Sequence, residues 1–322
     1  MISIRRWSML LVVGLAALSV ACGGSSAARW DARGIAESQD GAPFFPILVN
    51  SPLGLGANRL AVALTDEGAL LSEAEITLRL YRLAEEPENA PESAELRDEL
   101  ITTPRSITVT TDHIHGDGTL HRHAGPRSTI YVANVEFDET GWWGVEIDVV
   151  LDGERHEGIR LSNSFVDEQT SEPGVGEQVP RSQQLTLRDV SDISEIDSTN
   201  PPNPAFHELT IAEALKTGKP VIVAFVTPAF CQTRFCGPVM EEVILPAHAE
   251  YGDAAVFVHV EPFDLEAARN GQLVSVPTVE EWGLLSEPFV FVLNADGTVA
   301  AKFEGIMEAE EVTAAVEQAL AR

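Results

Sequence analysis

The stretch KPVIVAFVTPAFCQTRFCGPVM, residues 219–240, decides the fold of the second half of the chain. Its apolar run at 221–226 lacks polar alternation, which predicts a strand that is covered on both faces of a mostly parallel sheet. A Thr-Pro pair ends that run, and apolar residues recur over 239–251 with a spacing that fits one face of a helix. Cys231 and Cys236 therefore lie where a strand passes into a helix.

The position of the two cysteines favours reactive thiols, because the backbone N–H groups at a helix N-terminus stabilise a thiolate. If both lay on a regular helix, their Cα atoms would be roughly 8 to 9 Å apart, beyond the ~7 Å limit for a disulfide. Proline favours the first helical turn, so the helix could start at Pro228 or at Pro238. Only the later start leaves Cys231 in a loop that can fold back onto Cys236.

A strand, Phe230-Cys231, a second cysteine and a later Ser286-Glu287-Pro288 before another strand resemble the thioredoxin superfamily. The resemblance covers residues 205–322 and implies a thioredoxin-like α/β fold for this C-terminal domain. In that family the proline that opens the late strand is cis and lies against the active cysteines. The resemblance therefore implies that Pro288 shapes the site and that Glu287 lies beside the cysteine pair.

By analogy with thioredoxin, Cys231 is the exposed nucleophile and Cys236 the resolving cysteine, while Arg234 is a candidate to support the thiolate. The charge of Glu287 would oppose that thiolate. The chain departs from thioredoxin in its Cys-x4-Cys spacing, where thioredoxin has Cys-x2-Cys. It also has Ala224 where thioredoxin carries a buried acid.

The chain is strongly acidic, with a formal net charge of −29 over 322 residues. This charge argues against a nucleic-acid partner, since polyanions are held mainly through Lys and Arg contacts to phosphates. The length suits about two globular domains.

Residues 1–21 have the layout of a bacterial export signal, with basic residues, an apolar run and small residues before Cys22. Residues 18–22, LSVAC, resemble a lipobox, which implies cleavage before Cys22 and lipidation of that cysteine. We therefore expect a protein outside the cytoplasm that is attached to the membrane by lipid, with a tether over residues 22–43. Simple secretion and an uncleaved signal anchor are the alternatives. With Cys22 lipidated, the other two cysteines are left as a pair in an oxidising compartment.

Residues 44–165 carry short segments with partial period-two alternation, separated by turn sequences. This pattern is typical of antiparallel sheets and predicts an all-β, immunoglobulin-like sandwich. The predicted strands cover 59–65, 75–83, 106–111, 128–137 and 143–151, with an exposed acidic excursion over 85–99.

Two His-x-His pairs flank a Gly-Asp-Gly turn in this domain. If the flanks are paired strands, alternate residues share a face, so four imidazoles could hold copper or zinc. The alternative is a solvated loop that is rich in histidine. The residues of this candidate site are His113, His115, His121 and His123.

Residues 166–204 are rich in acidic residues, serine and proline and show little periodicity, which predicts a linker between the domains. After it, residues 205–322 show the strand and helix order of the thioredoxin fold, with a capping box at Thr210 and Glu213.

Four functions are compatible with these features. The first is an envelope thiol–disulfide oxidoreductase that needs no cofactor and acts on exported client proteins with an envelope redox partner. The second is copper handling by the cysteine pair, the histidine cluster or both, with His248 or His259 as the distant histidine that some thioredoxin-like assembly factors use. The third is a peroxiredoxin relative, because some of these space two cysteines by four. The fourth is a binding module with a structural disulfide.

Overall fold

The computed structural model describes residues 28–50, 52–86, 92–114 and 120–322. A β-sandwich is followed by an α/β unit, in the order that the sequence predicts. None of the helices in these ranges is long and apolar enough to cross a membrane.

The sandwich consists of two sheets. One sheet has the order β1-β7-β6-β10-β12-β3, with β11 paired to β10, and the other has the order β2-β4-β9-β8, with β5 paired to β4. The strands are β1 (Ala28–Trp30), β2 (Phe45–Leu48), β3 (Leu53–Gly54), β4 (Gly56–Asp66), β5 (Ala69–Leu70), β6 (Glu75–Leu83), β7 (Glu92–Ile101), β8 (Thr103–Ile114), β9 (Leu120–Phe137), β10 (Gly141–Leu151), β11 (Glu154–Arg160) and β12 (Ser164–Asp167).

Alternation along the strands creates the sandwich core. In β6 the inward residues Ile76, Leu78 and Leu80 are buried, and they pack with Val145 and Ile147 of β10 in one apolar cluster. Each of the five segments predicted as strands lies within or overlaps an observed strand. The period-two pattern predicted these strands because one face of each sheet is buried.

The prediction of a tether over residues 22–43 is wrong for residues 28–43. This segment forms β1 and a helix, α1 (Ala32–Gln39). Trp30 is fully buried, its indole N–H donates to Asn163 Oδ1 at 2.6 Å, and its ring lies 5.2 Å from that of Tyr81. Burial of a large aromatic ring with its polar group satisfied outweighs the cost of ordering the segment.

The excursion between strands that was predicted over residues 85–99 is wrong for its second half, where β7 pairs between β1 and β6, although most of its described side chains are exposed as predicted. Two of its charged residues form ion pairs, Arg97 with Asp138 at 2.8 Å and Glu99 with Arg79 at 2.8 Å. An antiparallel strand with one wet face can carry such charges, and the acidic composition hid it from the sequence analysis.

The α/β unit has one mixed sheet in the order β14-β13-β15-β16, in which β13 and β14 run parallel and the other pairs are antiparallel. Its strands are β13 (Val221–Phe225), β14 (Val256–Val260), β15 (Phe289–Leu293) and β16 (Val299–Glu304). Its helices are α2 (Ile211–Ala214), α3 (Cys236–Pro238), a π-helical segment (Val239–Ile244), α4 (Leu245–Tyr251), α5 (Leu265–Arg269), α6 (Pro277–Glu281) and α7 (Ala309–Leu320).

The central strand β13 is buried at every position, as its unbroken apolar run predicts. The predicted capping box is present, because Thr210 and Glu213 satisfy each other's backbone N–H groups at the start of α2. The strand order, with a helix after β13 and a cysteine pair at that junction, is the arrangement that the thioredoxin resemblance implies.

The segment predicted as a linker, residues 166–204, is packed more closely than a linker requires. Its backbone exchanges hydrogen bonds with the β15–β16 turn, from Gly176 N to Val299 O and from Val299 N to Glu177 O. Val179, Ile196 and Asp197 are buried. Much of this segment therefore belongs to the α/β unit, because its few apolar residues are buried there. A sequence pattern does not reveal such packing.

The outer face of the β2-β4-β9-β8 sheet packs on the α/β unit. Residues of this face share one apolar cluster with Cys236 and Met240, and they are Ala61, Ala63, Ile107, Ile130 and Val132. Ion pairs border the contact, with Arg59 at 3.0 Å from Glu311 and Arg105 at 3.2 Å from Glu308. The sandwich thus supports the helix that carries the second cysteine.

Candidate functional site

The helix of the cysteine motif begins at Cys236, with Gly237 and Pro238 in its first turn. Cys231 lies in the preceding loop and folds back onto the mouth of the helix. Of the two helix starts that the sequence left open, the later one is therefore observed. A proline in the first turn fits this position because its missing N–H has no helical partner to lose.

The two sulfur atoms are in contact, with a distance of 2.6 Å between Sγ of Cys231 and Sγ of Cys236, and both are thiols. Sγ of Cys231 also accepts from the backbone N–H of Cys236 at 3.2 Å and lies 3.3 Å from the hydroxyl of Thr233. Donors at the helix N-terminus thus converge on one sulfur, as the dipole argument predicts.

The environments of the two thiols are opposite. Cys231 is partly exposed, and hydrogen bonding from the Cys236 thiol, with help from Thr233, lowers the pKa of Cys231 to about 6. Cys236 is 0% exposed, and burial, followed by the proximity of Cys231, raises its pKa far above the usual thiol value. At neutral pH the pair therefore holds one thiolate, on the sulfur that solvent reaches.

Glu287 lies beside the pair, as the resemblance implies, and its bond to Pro288 is cis. The carboxylate of Glu287 accepts from the backbone N–H of Gln232 at 2.9 Å, and its carbonyl oxygen accepts from Thr233 Oγ1 at 3.3 Å. The Glu287–Pro288 turn therefore holds the loop that presents Cys231. Burial raises the pKa of Glu287, and the nearby thiolate of Cys231 raises it further.

Arg234, the residue predicted to support the thiolate, is exposed and has a left-handed backbone conformation with φ of 69°. The neighbour that contacts the sulfur is Thr233. Thr233 was not predicted as a site residue, although Ser and Thr hydroxyls commonly bond to groups of the chain a few residues away.

One peptide unit connects the cysteine pair to a second polar cluster. The backbone N–H of Thr227 partly offsets the rise in the pKa of the Cys236 thiol. The carbonyl of the same peptide unit, on Val226, lies 2.9 Å from Nε2 of His259. His259 is the register partner of Ala224, the residue that replaces thioredoxin's buried acid.

The second cluster consists of Asp197, His207 and His259, whose side chains are 0 to 1% exposed. Asp197 Oδ2 lies 3.1 Å from His207 Nε2, and Asp197 Oδ1 lies 3.6 Å from His259 Nδ1. Burial works to raise the pKa of Asp197, but hydrogen bonds from His207 and Thr199 outweigh it and hold that pKa well below its usual range. Burial also lowers the pKa of His207.

The sequence predicted His259 only as a distant histidine for copper, with no link to Asp197 or His207. No spacing rule could, because the three residues come from a loop, a short 3-10 helix (Pro204–His207) and β14. The other copper candidate, His248, packs edge-on to the rings of Phe206 and Phe257.

The backbone of the histidine hairpin is paired as the metal-site hypothesis requires, with His113 opposite His121 in the β8–β9 ladder and His123 opposite Thr111. His115 lies outside the described residues, and so do the side chains of His113, His121 and His123. Copper or zinc binding at this hairpin remains a prediction.

Residues that could hold a metal also occur in two groups elsewhere in the described ranges. These groups are Cys231, Cys236 and Glu287, and Asp197, His207 and His259, and within each group the ligand atoms lie within 4.8 Å of one another.

Comparison with known proteins found no matching protein-family model and no matching curated protein. Among solved structures, the chain is similar to one described as a thiol:disulfide interchange protein of the thioredoxin family from Chlorobium tepidum TLS. The identity is 19%, the match covers 39% of this chain and 92% of that chain, and the TM-score is 0.27. With so low a score, we assign the thioredoxin-like fold from the strand order and the cysteine site of this unit.

Proposed function

We propose that the protein is a thiol–disulfide oxidoreductase in which Cys231 attacks and Cys236 resolves. The observation that carries this proposal is the contact between two sulfurs of opposite character. One has a pKa of about 6 and reaches solvent, whereas the other is buried with a raised pKa. A thiolate that is accessible at neutral pH is the form that attacks a disulfide.

In the reductive direction, the Cys231 thiolate attacks one sulfur of a client disulfide. The Cys231–client bond forms, the client S–S bond breaks, and the first client thiolate leaves and takes a proton from water. Cys236 then gives up its proton and attacks Sγ of Cys231, which releases the second client thiolate. The client gains two electrons, and the protein ends as the Cys231–Cys236 disulfide. Client oxidation is the same sequence in reverse.

Burial of Cys236 suits the resolving role. While Cys231 is free, the raised pKa keeps Cys236 as a thiol that donates to the Cys231 thiolate. Once Cys231 is bonded to a client, its negative charge is lost and no longer raises the pKa of Cys236. The contact distance then makes resolution intramolecular and fast.

We also propose the cellular setting that the N-terminal sequence suggests, an envelope protein anchored through lipidated Cys22 that acts on exported clients with an envelope redox partner. On this proposal the sandwich is an immunoglobulin-like domain that supports the redox unit, a role favoured by its packing against the helix of Cys236. Mass spectrometry of membrane-extracted protein should find an acylated N-terminal Cys22. An intact Met1, or cleavage at another bond, would contradict the anchor.

Trapping of mixed disulfides tests the redox proposal. Cys236→Ser should accumulate a mixed disulfide with client proteins through Cys231, because the attacking thiolate remains and the resolving thiol is gone. Cys231→Ser should trap none, because the remaining thiol is buried and protonated. The readout is the set of high-mass bands on non-reducing gels that disappear on reduction, with the double mutant as the blank.

The opposite trapping pattern would reverse the two roles. Failure of both variants to trap anything would favour a structural disulfide or metal handling. The geometry offers one specific reason to keep the second possibility, since the carboxylate of Glu287 lies within 4.8 Å of both sulfurs. Copper(I) titration of the reduced protein would then separate the two outcomes.

A further inference from the structure

In the buried cluster of Asp197, His207 and His259, one pair of facing polar atoms has no hydrogen bond between its members. Nε2 of His259 lies 2.9 Å from the carbonyl oxygen of Val226. A carbonyl can only accept, so Nε2 carries the proton, and in the neutral ring Nδ1 holds a lone pair. That Nδ1 is buried without a hydrogen-bond partner and lies 3.6 Å from Oδ1 of Asp197.

Oδ1 of Asp197 already accepts from the backbone N–H and the hydroxyl of Thr199, so it offers no proton to Nδ1. A lone pair and a carboxylate oxygen that face each other in a buried site repel, unless a cation lies between them. Two cations are available in principle. One is a proton on Nδ1, which would make His259 an imidazolium, and the other is a metal ion.

The distances favour a metal ion. A divalent ion bound at about 2.0 to 2.2 Å by each ligand has donor atoms roughly 3.0 to 3.6 Å apart. The 3.6 Å from Asp197 Oδ1 to His259 Nδ1 falls at the upper end of that range and is too long for a hydrogen bond, whereas the 3.1 Å from Asp197 Oδ2 to His207 Nε2 fits both a metal-ligand pair and the present hydrogen bond. Donation of the other ring N–H to a backbone carbonyl is also the usual state of a metal-binding histidine.

The second histidine is suited to the same role. Nε2 of His207 lies 3.1 Å from Asp197 Oδ2, and the residue is part of the same cavity lining as His259. Metal binding through Nε2 would replace its present hydrogen bond to Asp197, with the ring proton held on Nδ1. The carboxylate keeps its other partners, the N–H and hydroxyl of Thr199 and the N–H of Asn203.

A cavity of about 450 Å³ gives access to this cluster, because His207 and His259 are part of its lining. Its charged residues are mostly acidic, with Arg181 as the one basic side chain, and the acids are Glu195, Glu261, Asp264 and Glu281. A concave site lined by negative charge concentrates cations.

We propose that Asp197, His207 and His259 form a zinc site with a fourth position open to the cavity. Two imidazoles and one carboxylate suit Zn²⁺, whereas Ca²⁺ and Mg²⁺ prefer oxygen ligands alone. The site lies apart from the cysteine pair, so the proposal goes beyond the redox function. Bound zinc would fasten the 197–207 segment to β14.

The test uses the full chain in a background that lacks the other candidate ligands, with Cys231 and Cys236 changed to Ser and the four hairpin histidines changed to Ala. Titration with Zn²⁺ should show one ion per chain. Adding His207→Gln or Asp197→Asn should weaken binding at least 10-fold. The matched control is His248→Gln, a half-buried histidine outside the cluster, which should leave the affinity unchanged. Cobalt(II) should give a visible spectrum without a thiolate charge-transfer band.

Absence of zinc binding in this background would overturn the proposal, as would binding that His207→Gln and Asp197→Asn leave unchanged. If these variants do not fold, NMR of the imidazole nitrogens in the background protein decides the question. Protons on both ring nitrogens of His259 that persist in excess Zn²⁺ would show that a proton is the missing cation. Because this background lacks Cys231 and Cys236, its result is independent of the trapping experiment.

Discussion

The cysteine pair and the Asp197–His207–His259 cluster lie close to one peptide unit, whose Val226 carbonyl is 2.9 Å from His259 Nε2 and whose Thr227 N–H acts against the raised pKa of Cys236. They differ in exposure. The cysteine pair leaves one sulfur accessible, whereas the three side chains of the cluster are 0 to 1% exposed. A reacting group needs access together with a shifted pKa, so only the first site is suited to attack on another protein.

The two sites also differ in how they hold a negative charge. The thiolate of Cys231 is stabilised mainly by one thiol and a helix N-terminus, so it can be released when a new bond forms. The carboxylate of Asp197 is fixed by four donors, from Thr199, Asn203 and His207. The surroundings of Cys231 favour disulfide exchange, whereas those of Asp197 favour a fixed structural role.

Removal of the thiol that supports Cys231 should have the largest effect. In Cys236→Ala, we expect the pKa of Cys231 to rise from about 6 toward the ordinary thiol value of about 8.5, because its strongest donor is lost. The measurement is the pH dependence of thiolate absorbance or of alkylation. Cys236→Ser is the matched control, since a hydroxyl can still donate, and it should give a smaller rise. An unchanged midpoint in Cys236→Ala would show that the thiol does not set the pKa.

Asp197→Asn should lower the free energy of unfolding by about 2 to 3 kcal/mol, because an amide group cannot accept all four hydrogen bonds of a buried carboxylate. Urea denaturation measures the loss. Asp296→Asn is a matched control, since Asp296 accepts the same pair of bonds from Thr298 at an exposed turn. Equal effects of the two substitutions would mean that burial of the cluster adds nothing.

The same cluster should make the protein sensitive to acid. The folded-state pKa of His207 is lowered, so its contribution to stability is complete above the unfolded value near 6.5 and is lost as the pH falls below it. Asp197 has a lowered pKa too, and its contribution is lost only in stronger acid, below about 3.9. His207→Gln should therefore flatten the first part of the stability curve, and a curve that is flat in the wild-type protein would contradict this.

Glu287→Gln should have the smallest effect. The amide oxygen can still accept from Gln232 N–H, so the loop keeps its support while the charge beside the thiolate is removed. The thiolate and carboxylate now raise each other's proton affinity. We expect the pKa of Cys231 to fall by less than about one unit, in line with a partly screened pair. A rise in that pKa would mean that Glu287 acts by positioning alone.

Sequence reasoning predicted the parts of the fold that depend on local pattern. The buried run at 221–225, the capping box at Thr210 and the alternating strands of the sandwich are all present. It also predicted the contact of Cys231 and Cys236 on condition of a late helix start, and the structure meets that condition. Each of these depends on residues that are close together in the chain.

The errors have a common cause. The 28–43 segment was predicted as part of a tether and β7 as part of an excursion between strands, yet Trp30 and the ladder with β6 hold them in the sandwich. The 166–204 segment was predicted as a linker because it lacks periodicity, but its residues 176–179 pair with residues 297–299 at the start of β16. Backbone hydrogen bonds and single buried side chains do not produce a periodic hydrophobic pattern in the sequence.

The sequence alone determined that two thiols would lie at a strand–helix junction, because a buried apolar strand, a proline and a helix are properties of neighbouring residues. Only the tertiary structure decided which thiol is exposed, since burial of Cys236 comes partly from the sandwich face that packs on its helix. The tertiary structure also brought Asp197, His207 and His259 together from three separate elements. Burial and electrostatic coupling depend on distances in space, and a sequence records only distances along the chain.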